Sequence, residues 1–161
     1  MAVITIPNII VERIKREAER LGVSLEEYII EILSQGLDPT DRAREYIESA
    51  KELLKEAKEE LTKGNIRQSA EKIWEVTALS IKAYAYWRDN KRLSNHKELW
   101  EYKDKVAKEL GEWIRATFQR ASSLHVCFYE GWCTEQDVKD VYDVVKKLVE
   151  SIAEKILGRE K

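Results

Sequence analysis

Residues 66–89 read IRQSAEKIWEVTALSIKAYAYWRD, and this stretch decides the fold class. Its apolar residues recur at intervals of three and four, the period of an α-helix with one buried side. Gly64 and Asn65 precede the stretch and a basic loop follows it, so both ends are marked. The pattern predicts a helix over about 66–89 whose inward residues are Ala70, Ile73, Trp74, Thr77, Ile81, Tyr84 and Ala85.

Four further stretches carry the same helical period, with short connections between them. The predicted helices cover residues 40–63, 95–109, 113–130 and 134–157. Thr40, Asn95 and Thr134 are the predicted caps, and Gly111 breaks a run that would otherwise reach about 50 Å. Together these helices predict an all-α fold, in which residues 38–161 form an antiparallel four-to-five-helix bundle.

Residues 1–37 form a separate predicted segment. The β-branched run from Val3 to Ile6, closed by Pro7, predicts a short strand. A helix is expected over 8–21, and Ser24 with Glu27 forms a capping box that opens a second helix ending before Gly36. The predicted inward residues of the two helices are Ile10, Ile14, Ala18, Leu21, Leu25, Tyr28, Ile29, Ile32 and Leu33.

This strand-helix-helix order resembles the ribbon-helix-helix family, which implies that two chains pair their strands across a two-fold axis. We therefore expect a homodimer, in which residues 1–37 serve dimerisation or pack on the bundle. DNA binding is not expected, because the strand carries no charge and the segment is acidic. Its bases are Arg13, Lys15, Arg16 and Arg20, and its acids are Glu12, Glu17, Glu19, Glu26, Glu27 and Glu31.

The composition of the whole chain indicates a cytoplasmic protein. No uncharged stretch is longer than residues 1–11, which is too short to span a bilayer and lacks the basic start of a signal peptide. No membrane partner is therefore expected. Charged residues make up 36% of the chain with nearly balanced signs, as on the surfaces of thermophile proteins.

No cofactor or metal is predicted. Cys127 and Cys133 lie six residues apart without a CxxC pair, so two reduced thiols are expected rather than a zinc site or a disulfide framework. No phosphate-binding glycine run or nucleophile elbow is present to indicate another enzyme class.

His125 is the first candidate for chemistry, because it continues the inward stripe of the helix over 113–130. Arg120 precedes it by five residues, Tyr129 follows one turn later, and Glu130 adjoins Tyr129. Imidazole can move a proton at a ribose hydroxyl while guanidinium stabilises charge on phosphorus. Five residues turn a helix by about 500°, which leaves Arg120 and His125 about 140° apart. The length of the arginine side chain, local distortion of the helix or a second subunit must then bring them together. The alternative is a core histidine bonded to a neighbouring carbonyl.

A second candidate site lies at the helix start near Asn95. Free N–H groups at a helix start attract anions, and His96 and Lys97 lie beside them. The alternative is a capped helix beside a solvated loop. Most tryptophans are expected in the core rather than in stacking contacts with bases. Trp100 and Trp132 lie near helix ends, and for these two both interpretations stay open.

The spacing Arg120-Ala-Ser-Ser-Leu-His125 resembles the Arg-x4-6-His motif of the HEPN superfamily, the higher eukaryote and prokaryote nucleotide-binding proteins. With Lys72-Ile-Trp74, His96-Lys-Glu-Leu99-Trp100 and Leu124-His125-Val-Cys-Phe128-Tyr129-Glu130, the chain resembles the archaeal PaREP-type branch over about residues 41–157.

The resemblance implies a dimeric bundle and a metal-independent endoribonuclease with Arg120 and His125 as catalytic residues. RNA or nucleotide contacts are assigned to Tyr129, Glu130, His96, Lys97, Trp100 and Lys72. Active members usually place a polar residue after the arginine, and Ala121 departs from this pattern. The alternative function is therefore a non-catalytic module that binds a nucleotide, RNA or a protein. A ribbon-helix-helix regulator is disfavoured by the acidic segment.

Overall fold

The computed structural model describes residues 2–158, and every regular element in this range is an α-helix. Met1 and residues 159–161, which belong to the two predicted segments, lie outside the described residues. The helices are α1 (Asn8–Leu21), α2 (Leu25–Ser34), α3 (Pro39–Thr62), α4 (Ile66–Asp89), α5 (His96–Leu110), α6 (Trp113–Glu130) and α7 (Glu135–Leu157). The all-α prediction is confirmed for this part of the chain.

Side-chain caps begin most of these helices where the sequence predicts them. Ser24, Asn95 and Thr134 each accept a hydrogen bond from the backbone N–H three residues later, at 2.9–3.1 Å. The start of α3 differs from the prediction, because the Asp38 carboxylate accepts the bond from the Asp41 N–H at 2.9 Å. Helix α3 therefore begins at Pro39, a residue that suits the first turn of a helix, and the predicted cap Thr40 lies inside that turn.

Helix α4 is the centre of a five-helix bundle formed by α3–α7. The short connection over 63–65 folds α4 back along α3, and α5, α6 and α7 also pack against α4. All the predicted inward residues of α4 are buried. The residues of α3 that follow the apolar period of its sequence are also buried, namely Ala43, Ile47, Ala50, Leu54, Ala57 and Leu61. Those of α7 are buried too: Val138, Val141, Val145, Leu148 and Ile152.

The predicted strand over residues 3–6 is wrong for this structure, because residues 2–7 form neither a strand nor a helix. A strand needs a hydrogen-bonding partner, and no other strand occurs among residues 2–158. The predicted inward face of α1 and α2 is also wrong at four of its nine positions. Ile10, Ile29, Ile32 and Leu33 are exposed, whereas Glu27 and Ser34 are buried.

Polar contacts attach α1 and α2, which we call the N-terminal hairpin (residues 8–34), to the bundle. The buried Glu27 carboxylate pairs with the Lys82 ammonium of α4, and Arg92 pairs with Glu31. The Arg42 guanidinium donates to the Ser34 and Gln35 carbonyls at 3.0 and 2.7 Å, which satisfies acceptors at the end of α2. The pairing with Lys82 is the reason that the Glu27 side of α2 faces inward.

The expectation of two reduced thiols is wrong, because Cys127 and Cys133 form a disulfide. Gly131 ends α6 in the left-handed conformation, with φ 74°, and this turn brings the two Cα atoms to 5.7 Å. The Arg67 guanidinium of α4 donates to the Phe128 and Tyr129 carbonyls at 2.8 and 3.1 Å. The end of α6 is therefore attached both to α4 and to the segment that leads into α7.

No helix between residues 2 and 158 has the length and apolar character needed to cross a membrane.

Candidate acid-base site

The side chain of His125, on α6, contacts the carboxylate of Glu71, on α4. The Nδ1 atom of His125 lies 2.8 and 3.1 Å from the two carboxylate oxygens, and both side chains are partly buried. A carboxylate at this distance holds an imidazole in one orientation and favours a proton on Nδ1. Within residues 2–158 the Nε2 atom has no hydrogen-bonding partner, so it is free to exchange a proton with a ligand.

The second histidine of the chain, His96, lies beside the first. Its ring is stacked parallel to the Trp74 indole, with 6.0 Å between centroids and 5° between planes. The His125 ring lies 5.7 Å from the same indole and 6.2 Å from the His96 ring. Tyr129 packs edge-on against His125 at 5.3 Å. The structure thus gathers the two histidines and Tyr129 around one buried tryptophan.

A second carboxyl group, that of Glu75, follows Glu71 by one turn of α4. Its Oε2 atom is buried and lacks a hydrogen bond among the described residues. Burial raises the pKa of Glu75 to about 8, and the negative charges of Glu26, Glu71 and Glu27 act in the same direction against the opposing charge of Lys72. Glu75 therefore carries its proton at neutral pH and can donate a hydrogen bond.

These groups line a cleft of about 360 Å³ between the bundle and the N-terminal hairpin. The hairpin wall of the cleft consists of Glu19, Gly22, Val23, Ser24 and Glu27. The bundle wall consists of Glu71, Trp74, Glu75, Ala78, His96, His125 and Tyr129. The wall offers an oriented imidazole, a second imidazole and a neutral carboxylic acid, a set that can both accept and donate protons on one ligand. No metal-ligand cluster of three or more side chains is found over residues 2–158.

Arg120 does not lie in this cleft. Its side chain is exposed and has no ion pair or hydrogen bond with residues 2–158. This placement agrees with the angular separation of about 140° expected from helix geometry. One chain by itself therefore does not bring Arg120 and His125 together.

The other predicted contact residues are dispersed over the bundle. Lys72 pairs with Glu56 at 3.5 Å, and Lys97 is fully solvated, 4.0 Å from Glu101. Trp100 packs edge-on against Phe118 with 4.8 Å between centroids. Glu130 accepts a hydrogen bond from the Trp132 indole at 2.9 Å. Of the predicted site residues, the cleft brings together His96, His125 and Tyr129.

Sequence reasoning missed Glu71 and Glu75 and treated Trp74 as a core residue. A signal was present, because two carboxylates one turn apart flank Trp74 on a helix that is otherwise buried nearly all round. Placing charge in such a helix is costly unless it is paired or neutralised, so these positions were candidates for function. The contribution of the N-terminal hairpin had no comparable local signal.

The fold and the cleft define a helical-bundle protein with a cleft, lined by two histidines and by glutamates, between the bundle and the N-terminal hairpin. Residues 45–149 match the archaeal PaREP1/PaREP8 family, and since this is more than half of the chain, the protein belongs to that family. The matched range includes His96, His125 and both glutamates and excludes the N-terminal hairpin.

The crystal structure of a protein from Sulfolobus solfataricus is similar to this chain, with 27% sequence identity and a TM-score of 0.59. The match covers 68% of this chain and 96% of that one. Comparison with curated proteins finds no significant match.

Proposed function

We propose that this protein acts on RNA as a metal-independent endoribonuclease of the HEPN type, with His125 as the group that moves a proton. The observation that carries the proposal is the contact of 2.8 Å between His125 Nδ1 and Glu71, which leaves Nε2 free at a cleft. General acid-base catalysis by a positioned imidazole accelerates reactions by roughly 10²- to 10⁴-fold.

In the proposed reaction the Nε2 atom of His125 takes the proton of a ribose 2′-hydroxyl. The 2′-oxygen forms a bond to phosphorus, the bond from phosphorus to the 5′-oxygen breaks, and the departing oxygen takes a proton from a ring nitrogen of His96. The products are a 2′,3′-cyclic phosphate and a 5′-hydroxyl end. The neutral Glu75 can donate a hydrogen bond to a phosphate oxygen, which an ionised carboxylate in its place would repel.

Arg120 enters this proposal only through a second subunit. Its exposed guanidinium, unpaired within residues 2–158, is available to a neighbouring chain, and a homodimer that placed it over the partner's cleft would supply positive charge for the phosphate. Such a dimer would also explain how Arg120 and His125, which lie about 140° apart on one helix, act at one site.

The test is cleavage of short RNAs of varied sequence in the presence of EDTA, with mass spectrometry of the products. His125→Ala should remove most activity while the helical circular dichroism spectrum is kept. Ser123→Ala, an exposed position on the same helix, is the matched control and should retain activity. If the wild-type protein leaves all RNAs intact, or if His125→Ala cleaves as fast as wild type, the endoribonuclease proposal is wrong.

A second candidate function is a non-catalytic module that binds a nucleotide or RNA. It is favoured by the exclusion of Arg120 from the cleft and by the N-terminal hairpin that forms one cleft wall. Wild-type protein that binds nucleotides by calorimetry, loses that binding in the His125→Ala variant and cleaves no RNA would support this function over catalysis.

A further inference from the structure

A groove lined with lysines runs between α3 and α7 and shares no lining residue with the His125 cleft. It encloses about 700 Å³. Its basic residues are Lys51, Lys55, Lys58, Lys63 and Lys146, and its acidic residues are Glu59 and Glu150. Five positive charges against two negative ones make this groove basic on a chain whose net charge is −2.

Four of these lysines have no carboxylate partner among residues 2–158, and only Lys51 has one, Glu48 at 3.7 Å. The four are Lys55, Lys58, Lys63 and Lys146, and all four are exposed. By contrast Lys139, an exposed lysine of α7 outside the groove, pairs with Glu135 at 3.5 Å. A cluster of unpaired lysines repels itself, and this repulsion is relieved when an anion binds.

The floor of the groove is apolar. Leu54 and Val149 are buried, and the half-buried ring of Tyr142 lies between the two helices beside them. The floor is thus recessed below the exposed lysine side chains. A flat bilayer would contact the lysines without reaching the floor. A flexible chain that carries charges and flat rings can contact the lysines and the floor together.

The basic stretch is short. From Lys51 to Lys63 it extends about 18 Å along α3 at the helical rise per residue. Beyond Lys51 the groove continues toward the end of α7, where Glu150 and Glu154 line it together with Ala153 and Leu157. The change from lysines to glutamates bounds the length of an anionic ligand to a few charges.

We propose that the lysine groove binds a short segment of single-stranded RNA, with the phosphates at the lysines and a base on the Tyr142 ring. The pairing of a basic rim with an aromatic, apolar floor is the arrangement by which proteins hold single strands without reading their sequence. This inference goes beyond the proposed function, because it concerns a separate surface whose binding requires no proton transfer at His125.

The test uses the full-length protein and a fluorescein-labelled 2′-O-methyl oligouridine, which lacks the free 2′-hydroxyl and resists cleavage. Anisotropy titrations between 50 and 300 mM NaCl give the affinity and its salt dependence. Each phosphate contact on a single strand contributes about −0.7 to the slope of log K against log salt concentration. The double variant Lys55→Gln/Lys58→Gln should therefore weaken binding at least tenfold at 50 mM and make the slope less negative by about 1.4.

Two further variants separate the parts of the groove. Tyr142→Leu should weaken binding while leaving the salt slope unchanged, because it removes stacking and no charge. The matched control Lys15→Gln/Lys139→Gln removes two exposed lysines outside the groove and should change the affinity less than twofold.

Three outcomes would overturn the proposal: no binding by wild type at 50 mM NaCl, equal affinity in the Lys55→Gln/Lys58→Gln variant, or displacement of the oligouridine by poly-glutamate at equal charge concentration. The last outcome would indicate a site for acidic peptides. His125→Ala separates the two surfaces, since binding of the oligouridine at the groove persists in that variant whatever happens at the cleft. If it instead lost binding while the groove variants kept it, the strand would lie in the cleft and not in the groove. Cleavage by wild type with no effect of the groove variants on binding would leave the endoribonuclease intact and remove this inference alone.

Discussion

Glu71 and His125 lie 54 residues apart in the chain, and their side chains meet with 2.8 Å between Oε2 and Nδ1. Since α4 is the central helix of the bundle and α6 packs directly on it, the contact joins two rigid elements. The orientation of the His125 imidazole is therefore fixed by the fold and does not have to be acquired when a ligand binds.

Replacing Glu71 with Gln should lower the rate of RNA cleavage by about tenfold to a hundredfold, because the imidazole loses the charge that stabilises its protonated form. Glu71→Asp, which restores the charge, should recover part of the rate. An unchanged rate in Glu71→Gln would mean that the contact with Glu71 does not position the imidazole for catalysis.

Replacing Glu75 with Gln should stabilise the protein at alkaline pH. The folded-state pKa is raised to about 8, so the folded chain holds a proton that the unfolded chain has released, and stability falls as pH rises from about 4.5 to about 8. Gln avoids this loss, which is on the order of 5 kcal/mol. Thermal melts at pH 5, 7 and 9 should show an increasing advantage for the variant. Glu45→Gln, at an exposed position, should show none, and an equal gain there would contradict the burial of Glu75.

Replacing Phe118 with Ala should lower the free energy of unfolding by about 3 to 5 kcal/mol, because the ring is fully buried and packs edge-on against Trp74 and Trp100. Val126→Ala, at an exposed position on the same helix, should change it by less than about 1 kcal/mol. Denaturant unfolding followed by circular dichroism measures both. A change near zero at Phe118 would mean that this side of α6 is not packed as described.

The exposed apolar residues of the N-terminal segment should mediate a homodimer. Ile9 and Leu33 are each 76% exposed, and Val3 is 93% exposed, so a single chain leaves an apolar surface that a second copy can cover. Light scattering should give twice the monomer mass for wild type and the monomer mass for Ile9→Glu/Leu33→Glu. A wild-type monomer at micromolar concentration would contradict the dimer.

The helices of the bundle could be predicted because their signals are local. Glycines and capping side chains such as Asn95 and Thr134 lie within a few residues of the ends that they define, and the apolar period identifies the buried side. The local pattern could not decide whether residues 3–6 form a strand, since a strand forms only with a partner strand. The exposed side of α2 was mispredicted because Lys82, 55 residues away, draws Glu27 inward.

The candidate site was predicted only in part, for a related physical reason. Helix geometry correctly separated Arg120 from His125, because both lie on one helix whose period is known. The partner of His125 is Glu71, which lies on α4, and the sequence pattern of α6 carries no information about which residues of α4 will face it. The Cys127–Cys133 disulfide was missed because its geometry depends on the turn at Gly131, which the spacing of six residues does not reveal.

The N-terminal hairpin has two sides with different surroundings. Its inner side forms a wall of the His125 cleft, and its outer side exposes apolar residues. A contact made on the outer side and a ligand bound in the cleft both depend on the position of the hairpin. The free energies of these two binding events are therefore linked. Because such linkage is reciprocal, a ligand held more tightly by the paired chains must strengthen their pairing by the same factor.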